Sequence, residues 1–304
     1  MKKLKKAVVL LNMGGARNKD ELRQFLKNMF LDRRIIASAW RFLLSPLIVS
    51  LRLNEAWKNY ALIGGSKIYE HTQKLVDKLN VLLEGEYDVF FAMRYTRPKI
   101  AELLALRGYD EVLLFPLYPH CSSTTTLSSF DDADRFFKNE HTKVLKIEHF
   151  FEDKHFNESI VKSIKKHHKE GAHLIFSAHS LPLSIAKNDT YKSHIKAHIA
   201  ILSEMLALEG FNFKGIHLAF QSKLGPVKWL EPNLGEVLRR ISPKPVVIYP
   251  ISFTVDNSET DYELSIYYKN IAKDFGITSY EVCEVQNSND NFVKFISEKI
   301  KRSF

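Results

Sequence analysis

The stretch "PVVIYPISFTVDNSET", residues 245–260, carries the pattern that decides the fold. A continuously apolar run ends in Tyr-Pro and is followed at once by a loop rich in Ser, Thr and acidic residues. The same order of features occurs in "EVLLFPLYPHCSSTTT", residues 111–126. Apolar runs without alternation are typical of strands that are covered on both faces. The two stretches therefore predict equivalent strands in two similar domains.

Eight short apolar runs, four in each half of the chain, support this duplication. Segments with helical periodicity separate them, among them 66–85, 156–170 and 193–210. Strands that alternate with helices predict parallel sheets, so we expect an α/β protein with two similar domains that meet near residues 150–156. The predicted strands are 7–13, 88–95, 111–119, 143–150, 173–180, 215–222, 245–253 and 279–285.

The composition is that of a globular protein and limits the partners. Of the 304 residues, 45% are hydrophobic and 26% charged, and the net charge of +9 favours anionic partners. The basic residues are scattered, without a zinc-finger spacing or an RNA-binding signature, so we expect no nucleic-acid partner. Cys121 and Cys283 lie in no C-x-x-C motif, which argues against a disulfide framework and an iron–sulfur cluster. A cytoplasmic location is expected.

Two apolar segments need an explanation other than a membrane span. The N-terminal "MKKLKKAVVLLNMGG" (1–15) resembles a signal peptide, but its apolar run is too short and no cleavage pattern follows, which favours a first strand. Residues 33–62 are rich in Trp and Leu but are interrupted by Arg41, Pro46 and Arg52. The readings that remain are an insertion that closes over a hydrophobic ligand, a segment that adsorbs to a bilayer surface, and a helical pair packed on the core.

The candidate catalytic groups lie in loops that follow strands of the second half, where open α/β sheets bind their ligands. His179 ends the run 173–180, and Asp256, Glu259, Asp261 and Glu263 follow the run 245–253. A lone histidine there can be structural, a metal ligand or a base, and acidic residues at a helix start also complement the helix dipole. His194 and His198 lack the glutamate of a zinc-protease motif, which favours an exposed helix face.

An ordered set of motifs makes a resemblance specific. The motifs are "LLNMGG", "IGGS", "MRY", "FPLYP" with "SSTTT", "SAHSLP", "FQSKLGPVKWLEP" and "YPISFTVDNSET". In this order, and over essentially the whole chain, the sequence resembles the ferrochelatases, which insert ferrous iron into a porphyrin to make haem. The resemblance implies two Rossmann-like domains, 1–153 and 154–304, with a porphyrin cleft between them and with 33–62 as a hydrophobic lip.

The resemblance also implies roles for individual residues. His179 and Glu259 match the family's active-site histidine and glutamate, which transfer protons or handle iron; which of them does which stays open. Asp256 and Glu263 would extend a proton or metal relay. Met13, Arg94, Tyr95, Ser122, Phe220 and Trp229 match positions that bind the porphyrin, with Arg94 and the Ser/Thr run suited to its propionates.

Two departures from the family pattern concern the glutamate segment. Family members often carry a histidine two residues before the glutamate, where this chain has Asn257, which cannot act as a base. A third glutamate of the carboxylate series found in some members is Tyr267 here. A relay would therefore be shorter or would use the tyrosine and water.

The implied function is ferrochelatase activity, with protoporphyrin IX as the expected substrate. Alternatives are a coproporphyrin ferrochelatase, a cobalt or nickel chelatase for a related tetrapyrrole, and a haem- or metal-binding protein without turnover. The expected partners are the porphyrin, Fe²⁺ as a substrate and, peripherally, the inner face of a membrane. No permanently bound cofactor and no iron–sulfur cluster are expected, and the expected assembly is a monomer or weak dimer.

Overall fold

A computed structural model describes residues 4–223 and 225–304, which form two compact units. One unit contains the residues up to His149 together with 287–304, and the other contains residues 150–286. Each unit has one four-stranded sheet in which all strands are parallel. The predicted α/β fold with two similar sheets is therefore confirmed.

The first sheet has the strand order β2-β1-β3-β4. Its central strands are almost entirely buried because helices cover both faces, as their unbroken apolar sequences predict. The strands are β1 (Lys6–Asn12), β2 (Asp88–Met93), β3 (Glu111–Pro116) and β4 (Lys143–Lys146). The helices of this part of the chain are α1 (Lys19–Leu31), α2 (Arg41–Leu62), α3 (Ile68–Leu82) and α4 (Ser128–Phe137), with short 3₁₀ turns at Ile100–Glu102 and Leu104–Gly108 and a π-helical turn at Ser123–Leu127.

The second sheet repeats this arrangement in the order β6-β5-β7-β8. The first strand of each unit thus lies between the second and the third, which brings the loops after these three strands to one edge of the sheet. The strands are β5 (His173–His179), β6 (Gly215–Gln221), β7 (Val246–Pro250) and β8 (Tyr280–Val282). The helices are α5 (Lys154–His167), α6 (Leu183–Ala186), α7 (Tyr191–Leu208), α8 (Leu234–Ile241) and α9 (Tyr268–Asp274), and a π-helix, Glu259–Tyr267, precedes α9.

The last helix, α10 (Asp290–Ser303), packs with the first unit. Its Phe295 ring lies 6.4 Å from the ring of Phe115 on β3, and Asp290 pairs with Lys78 of α3 at 2.7 Å. The sequence-based division placed this helix with residues 154–304. An apolar stripe along a helix shows that it must be buried, but the stripe does not say which sheet buries it.

Helix α2 has two apolar faces, of which the structure buries one. Ser45, Val49 and Leu53 form a buried stripe, and the Ser45 hydroxyl donates to the carbonyl oxygen of Lys27 on α1. The opposite face is exposed, with Trp40 at its start 67% exposed and Leu51 73% exposed. None of the helices in the described part of the chain is both long enough and apolar enough to cross a membrane.

His198 of α7 is fully buried, and the expected exposed position is therefore wrong. Its Nε2 atom lies 2.7 Å from Oδ1 of Asn157 on α5, and its ring stacks on Phe156 with centroids 5.8 Å apart. Burial lowers the pKa of His198 to about 3. The histidine is thus a neutral core residue that is hydrogen-bonded to a buried amide.

Candidate active site

The candidate site in the second unit is built where parallel strands end. His179 is the last residue of β5 and pairs in register with Gln221, the last residue of β6. The loop after β7, the neighbour of β5 on its other side, leads into the π-helix that begins with Glu259. Because carboxyl ends of parallel strands share one edge, residues far apart in sequence converge here.

His179 and Glu259 are in direct contact. The Nδ1 atom of His179 lies 2.8 Å from Oε2 of Glu259, and their side chains are 38% and 25% exposed. Within the described residues, no hydrogen bond is recorded to the Nε2 atom of His179, so this nitrogen is available to a ligand. A carboxylate that receives Nδ1–H fixes the tautomer in which Nε2 carries the lone pair. The two residues that the sequence predicts as a pair are thus brought together.

The backbone of His179 is fixed by two residues that the sequence analysis missed. The Tyr191 hydroxyl donates to the carbonyl oxygen of His179 at 3.0 Å, and the Ser252 hydroxyl accepts from its N–H at 3.2 Å. Tyr191 and Ser252 also contact each other at 2.6 Å. This closed set of bonds ties α7 and the loop after β7 to the end of β5.

The carboxylate of Glu259 has further donors. The Ser222 hydroxyl donates to Oε2 at 2.7 Å, and the Gln221 amide nitrogen donates to the same oxygen at 3.3 Å. The hydroxyl of Ser177 in turn donates to the Gln221 amide oxygen at 2.6 Å, which orients that amide. Glu259 therefore has a defined orientation before any substrate binds.

Asn257, which stands where family members often have a histidine, has a structural role. Its Oδ1 accepts from the N–H of Glu259 at 2.8 Å, and its own N–H donates to the Thr260 hydroxyl at 3.0 Å. An asparagine side chain that accepts from a free N–H two residues later caps the start of a helix. The side chain thus fixes the backbone that carries Glu259.

Glu263 lies one π-helical turn after Glu259 and shares its partner. The N–H of Ser222 donates to Glu263 Oε1 at 2.8 Å, and the Ser222 hydroxyl contacts Oε2. Asp256, the other predicted relay residue, is half-buried in the loop just before the π-helix. Tyr267 is about half exposed at the end of the π-helix, with its ring edge-on to Tyr268.

The electrostatics of the three titratable groups are linked. Burial lowers the pKa of His179, but the adjacent Glu259 carboxylate outweighs burial and leaves this pKa above its ordinary value. Burial raises the pKa of Glu259, but His179 and the hydrogen bonds outweigh burial and leave it below its ordinary value. Burial and the charge of Glu259 raise the pKa of Glu263 to about 7. The three groups are therefore electrostatically linked, and the pKa of one of them, Glu263, lies near neutral pH.

Two predicted porphyrin-binding residues lie in the second unit. Phe220 of β6 is fully buried, so its side chain supports the sheet under the site. Trp229 is half-buried and forms a backbone bridge with Pro182, the last residue of the "SAHSLP" motif that contains His179. The motif 220–232 connects the two, and its Leu224 lies outside the described residues.

The first unit contains the other four. Met13 is half-buried in the loop after β1, and its carbonyl oxygen accepts from the N–H of Tyr95 at 2.9 Å. The next residue, Gly14, has a φ of +91°, and a Cβ there would lie 2.2 Å from the Thr96 hydroxyl oxygen. The "NMGG" motif thus lets the loops after β1 and β2 pack closely.

Arg94 and Tyr95 belong to a buried network around Asp32, which the sequence analysis missed. Arg94 Nη2 lies 2.8 Å from Asp32 Oδ2, and its Nε donates to the Ser128 hydroxyl at 2.8 Å. The Tyr95 hydroxyl donates to the same Asp32 oxygen at 3.0 Å. A porphyrin propionate would have to compete with Asp32 for the Arg94 guanidinium.

The remaining predicted residue, Ser122, caps the π-helical turn 123–127. Its hydroxyl oxygen accepts from the N–H of Thr124 at 3.3 Å, and the residue is buried.

A cavity of about 400 Å³ also opens in the first unit, with Tyr95 among its lining residues. In the described residues no group of three or more His, Cys, Asp or Glu side chains is arranged to hold a metal ion.

Sequence comparisons give a consistent result over the whole chain. The model of the ferrochelatase family matches residues 5–304. The chain is 45% identical to the ferrochelatase of Campylobacter fetus, covering 98% of this chain and 99% of the relative. It is 43% identical to that of Sulfurimonas denitrificans, covering 95% and 96% of the two chains.

Solved structures with little sequence similarity share the fold. SirB from Bacillus subtilis, determined with Fe³⁺, superposes with a TM-score of 0.61 at 10% identity and covers 99% of this chain and 96% of its own. CbiX, described as the terminal enzyme for siroheme biosynthesis in denitrifying bacteria, has a TM-score of 0.52 at 12% identity, with 99% of both chains covered. These likenesses concern the fold alone.

Proposed function

The chain belongs to the ferrochelatase family, which inserts ferrous iron into a porphyrin to make haem, and we propose that His179 and Glu259 carry this reaction. The observation that carries the proposal is the 2.8 Å contact between His179 Nδ1 and Glu259 Oε2. It leaves the Nε2 lone pair of a neutral His179 free to act on the substrate.

The reaction requires that two pyrrole N–H protons leave the macrocycle as Fe²⁺ binds the four ring nitrogens. We propose that His179 Nε2 accepts these protons one at a time, while Glu259 holds Nδ1–H and stabilises the imidazolium that forms. Glu263, whose pKa is about 7, is joined to Glu259 through Ser222 and can exchange protons at neutral pH. Asp256, in the preceding loop, would complete the route to solvent.

The alternative role of His179, as an iron ligand, uses the same nitrogen. Imidazole nitrogen is a good ligand for Fe²⁺, and metal-bound histidines often give their other N–H to a carboxylate. Nε2 cannot hold iron and accept a proton at the same time. We favour the proton acceptor because the Glu259 carboxylate raises the pKa of His179, which favours proton uptake over metal binding.

We propose protoporphyrin IX, which has two carboxylates, as the substrate. The guanidinium of Arg94, the expected receiver of propionates, is already bonded to Asp32 and Ser128. This leaves little of its charge for a substrate, which favours a porphyrin with two carboxylates over coproporphyrin with four. Met13 and Trp229 remain proposed contacts of the macrocycle. Tyr95 and Phe220 are fully buried, so we propose that they support the binding surface from behind.

The exposed apolar face of α2 supports a peripheral contact with a membrane. Residues 40, 43, 47 and 51 follow helical spacing on the side opposite the buried stripe, and Arg41 and Arg52 lie on the same segment. The macrocycle of protoporphyrin is apolar, and a surface that touches lipid suits an enzyme that collects its substrate there. We further propose a cytoplasmic monomer or weak dimer without a resident cofactor or iron–sulfur cluster.

Anaerobic metallation tests the proposed site and substrate together. The wild-type protein is supplied with Fe²⁺ and either protoporphyrin or coproporphyrin, and E259Q is assayed beside it. We expect a higher kcat/KM for protoporphyrin, and a strong loss of kcat in E259Q with porphyrin binding kept. A higher kcat/KM for coproporphyrin would contradict the assignment of protoporphyrin as the substrate, and a wild-type kcat in E259Q would contradict the proposed role of Glu259.

A further inference from the structure

Ser222, the first residue after β6, has an unusual backbone conformation. Its φ is +66°, a left-handed value that it shares with Asn287 among the non-glycine residues of the described chain. Side chains with a Cβ rarely adopt this conformation, and glycine adopts it freely. A serine at such a position therefore suggests that its side chain is needed there.

The left-handed turn directs two groups of Ser222 at the π-helix. The backbone N–H donates to Glu263 Oε1 at 2.8 Å, while the hydroxyl reaches Glu259 Oε2 at 2.7 Å and also contacts Glu263 Oε2. One residue thus holds both carboxylates, and it does so from the loop after β6. The hydroxyl oxygen contacts one oxygen of each carboxylate but has a single proton to donate. The two carboxylates are therefore held at fixed positions around one hydroxyl group.

The hydrogen bonds to the Glu259 carboxylate are unevenly divided between its two oxygens.

 Its three recorded donors, His179 Nδ1, Ser222 Oγ and Gln221 Nε2, all address Oε2. Within the described residues no hydrogen bond is recorded to Oε1. This division leaves Oε1 available to a ligand while Oε2 holds His179.

We infer that Ser222 is a positioning residue, whose hydroxyl holds the Glu259 carboxylate so that Oε2 serves His179 and Oε1 faces the substrate. This inference rests on the proposed role of the His179–Glu259 pair. Without the hydroxyl, the carboxylate would keep the contacts with His179 and Gln221 but would lose its link to Glu263. It could then rotate about its terminal bond and present either oxygen to His179.

A purely structural role of Ser222 makes a different prediction. If the residue is needed only to make the turn, glycine should replace it without loss, because glycine adopts a positive φ without strain. S222G also keeps the N–H that donates to Glu263. The variant therefore separates the hydroxyl from the backbone at this position. S222T provides the reverse case, since it keeps the hydroxyl on a side chain that is less suited to the turn.

The experiment compares S222G and S222T with the wild type in anaerobic Fe²⁺ insertion. N287G, which places glycine at the other left-handed position, is the matched control. We expect S222G to lower kcat by about 10–100-fold, as is usual for partners of a site's primary residues, with the KM for porphyrin changed less than about twofold. S222T should retain more of the wild-type kcat than S222G, and N287G should match the wild type.

A wild-type kcat in S222G would overturn the inference, and so would a loss that appears in KM alone. If S222G does not fold, as judged by its thermal unfolding, S222A replaces it and is read in the same way, because alanine also lacks the hydroxyl and keeps the backbone N–H. H179A and E259Q are assayed in parallel. Full activity in those two variants would contradict the proposed function, whereas full activity in S222G alone would contradict only the role of Ser222.

Discussion

The Nδ1 atom of His179 and Oε2 of Glu259 lie 2.8 Å apart, although the residues are separated by 80 positions in the chain. His179 ends β5, and Glu259 begins the π-helix after β7, so the parallel pairing of these two strands produces the contact. In the proposed reaction, His179 takes up protons and the Glu259 carboxylate stabilises its charged form. Both properties would serve the removal of protons from a porphyrin.

The Glu259 carboxylate should control the proton affinity of His179. Because its charge raises the pKa of His179 in the folded protein, we expect this histidine to titrate above about 6.5, and E259Q should lower its pKa. NMR titration of histidine ring signals, assigned with H179A, measures both values. An unchanged His179 pKa in E259Q would contradict the coupling.

The same shift has consequences for stability and for activity. A raised folded-state pKa stabilises the folded chain below the unfolded pKa of about 6.5, and this contribution is lost as the pH rises through the folded value. Activity should respond in the opposite sense, because only neutral His179 accepts a proton. We therefore expect kcat/KM to fall as the pH decreases through the pKa that NMR assigns to His179.

The buried imidazole of His198 should make the fold sensitive to acid. Its pKa is about 3 in the folded chain and about 6.5 when unfolded, so the unfolded state binds the proton first as the pH falls. The titration of His198 should not change the free energy of unfolding above pH 6.5. Between pH 6.5 and pH 3 it should lower this free energy by up to about 5 kcal/mol.

Denaturant unfolding at several pH values measures this loss. H198Q, which removes the titrating group, should lose less stability than the wild type between pH 6.5 and pH 4. H155Q changes an exposed histidine of α5 and serves as the control. Equal acid sensitivity of H198Q and the wild type would show that other groups dominate the response.

Asp32 should be essential to the stability of the first unit. It is buried and pairs with Arg94, whose side chain is also largely buried, so D32A removes the nearer of the two carboxylates from a buried cation and leaves only Asp132 at 3.7 Å. Loss of one partner of a buried ion pair costs about 3–5 kcal/mol of unfolding free energy. D20A removes an exposed carboxylate that pairs with Arg23 and should cost at most about 1 kcal/mol. Denaturant unfolding distinguishes the two, and equal effects would contradict the importance of the network.

The exposed face of α2 should determine binding to lipid. We expect the wild type to co-sediment with vesicles that contain anionic lipid, and added salt should weaken this binding. L47E with L51E should abolish it, because two charges then lie on the apolar face. L208E changes a leucine of α7 that is 81% exposed, and it should bind as the wild type does. Loss of binding in L208E, or none in the α2 variant, would contradict the proposal.

The strand pattern and the His179–Glu259 pair could be predicted because their signals are local. Each strand is a short apolar run, and each of the two residues lies in a loop directly after such a run. The order of the motifs along the chain then supplied the pairing. The predicted strand bounds were less accurate: the strand predicted over 111–119 ends at Pro116, and the one predicted over 279–285 is only three residues long.

The supporting residues could not be predicted because they act across long sequence separations. Asp32 contacts Arg94 across 62 positions, and Ser222 contacts Glu259 across 37. A serine or an aspartate in a loop gives no signal of such a partner. The same holds for His198, whose burial depends on Asn157 of another helix. Arg94 illustrates the difficulty, because its chemistry suits a propionate while its position commits it to a carboxylate of the chain.

The rate of a single round of iron insertion in H179A tests the central claim most directly. Enzyme in excess is loaded with protoporphyrin, its binding is measured by fluorescence, and Fe²⁺ is then added without oxygen, with H155A as the control. We predict that H179A binds the porphyrin with a near wild-type Kd but inserts iron about 10²–10⁴-fold more slowly, while H155A is unchanged. Insertion by folded H179A at the wild-type rate would contradict the account.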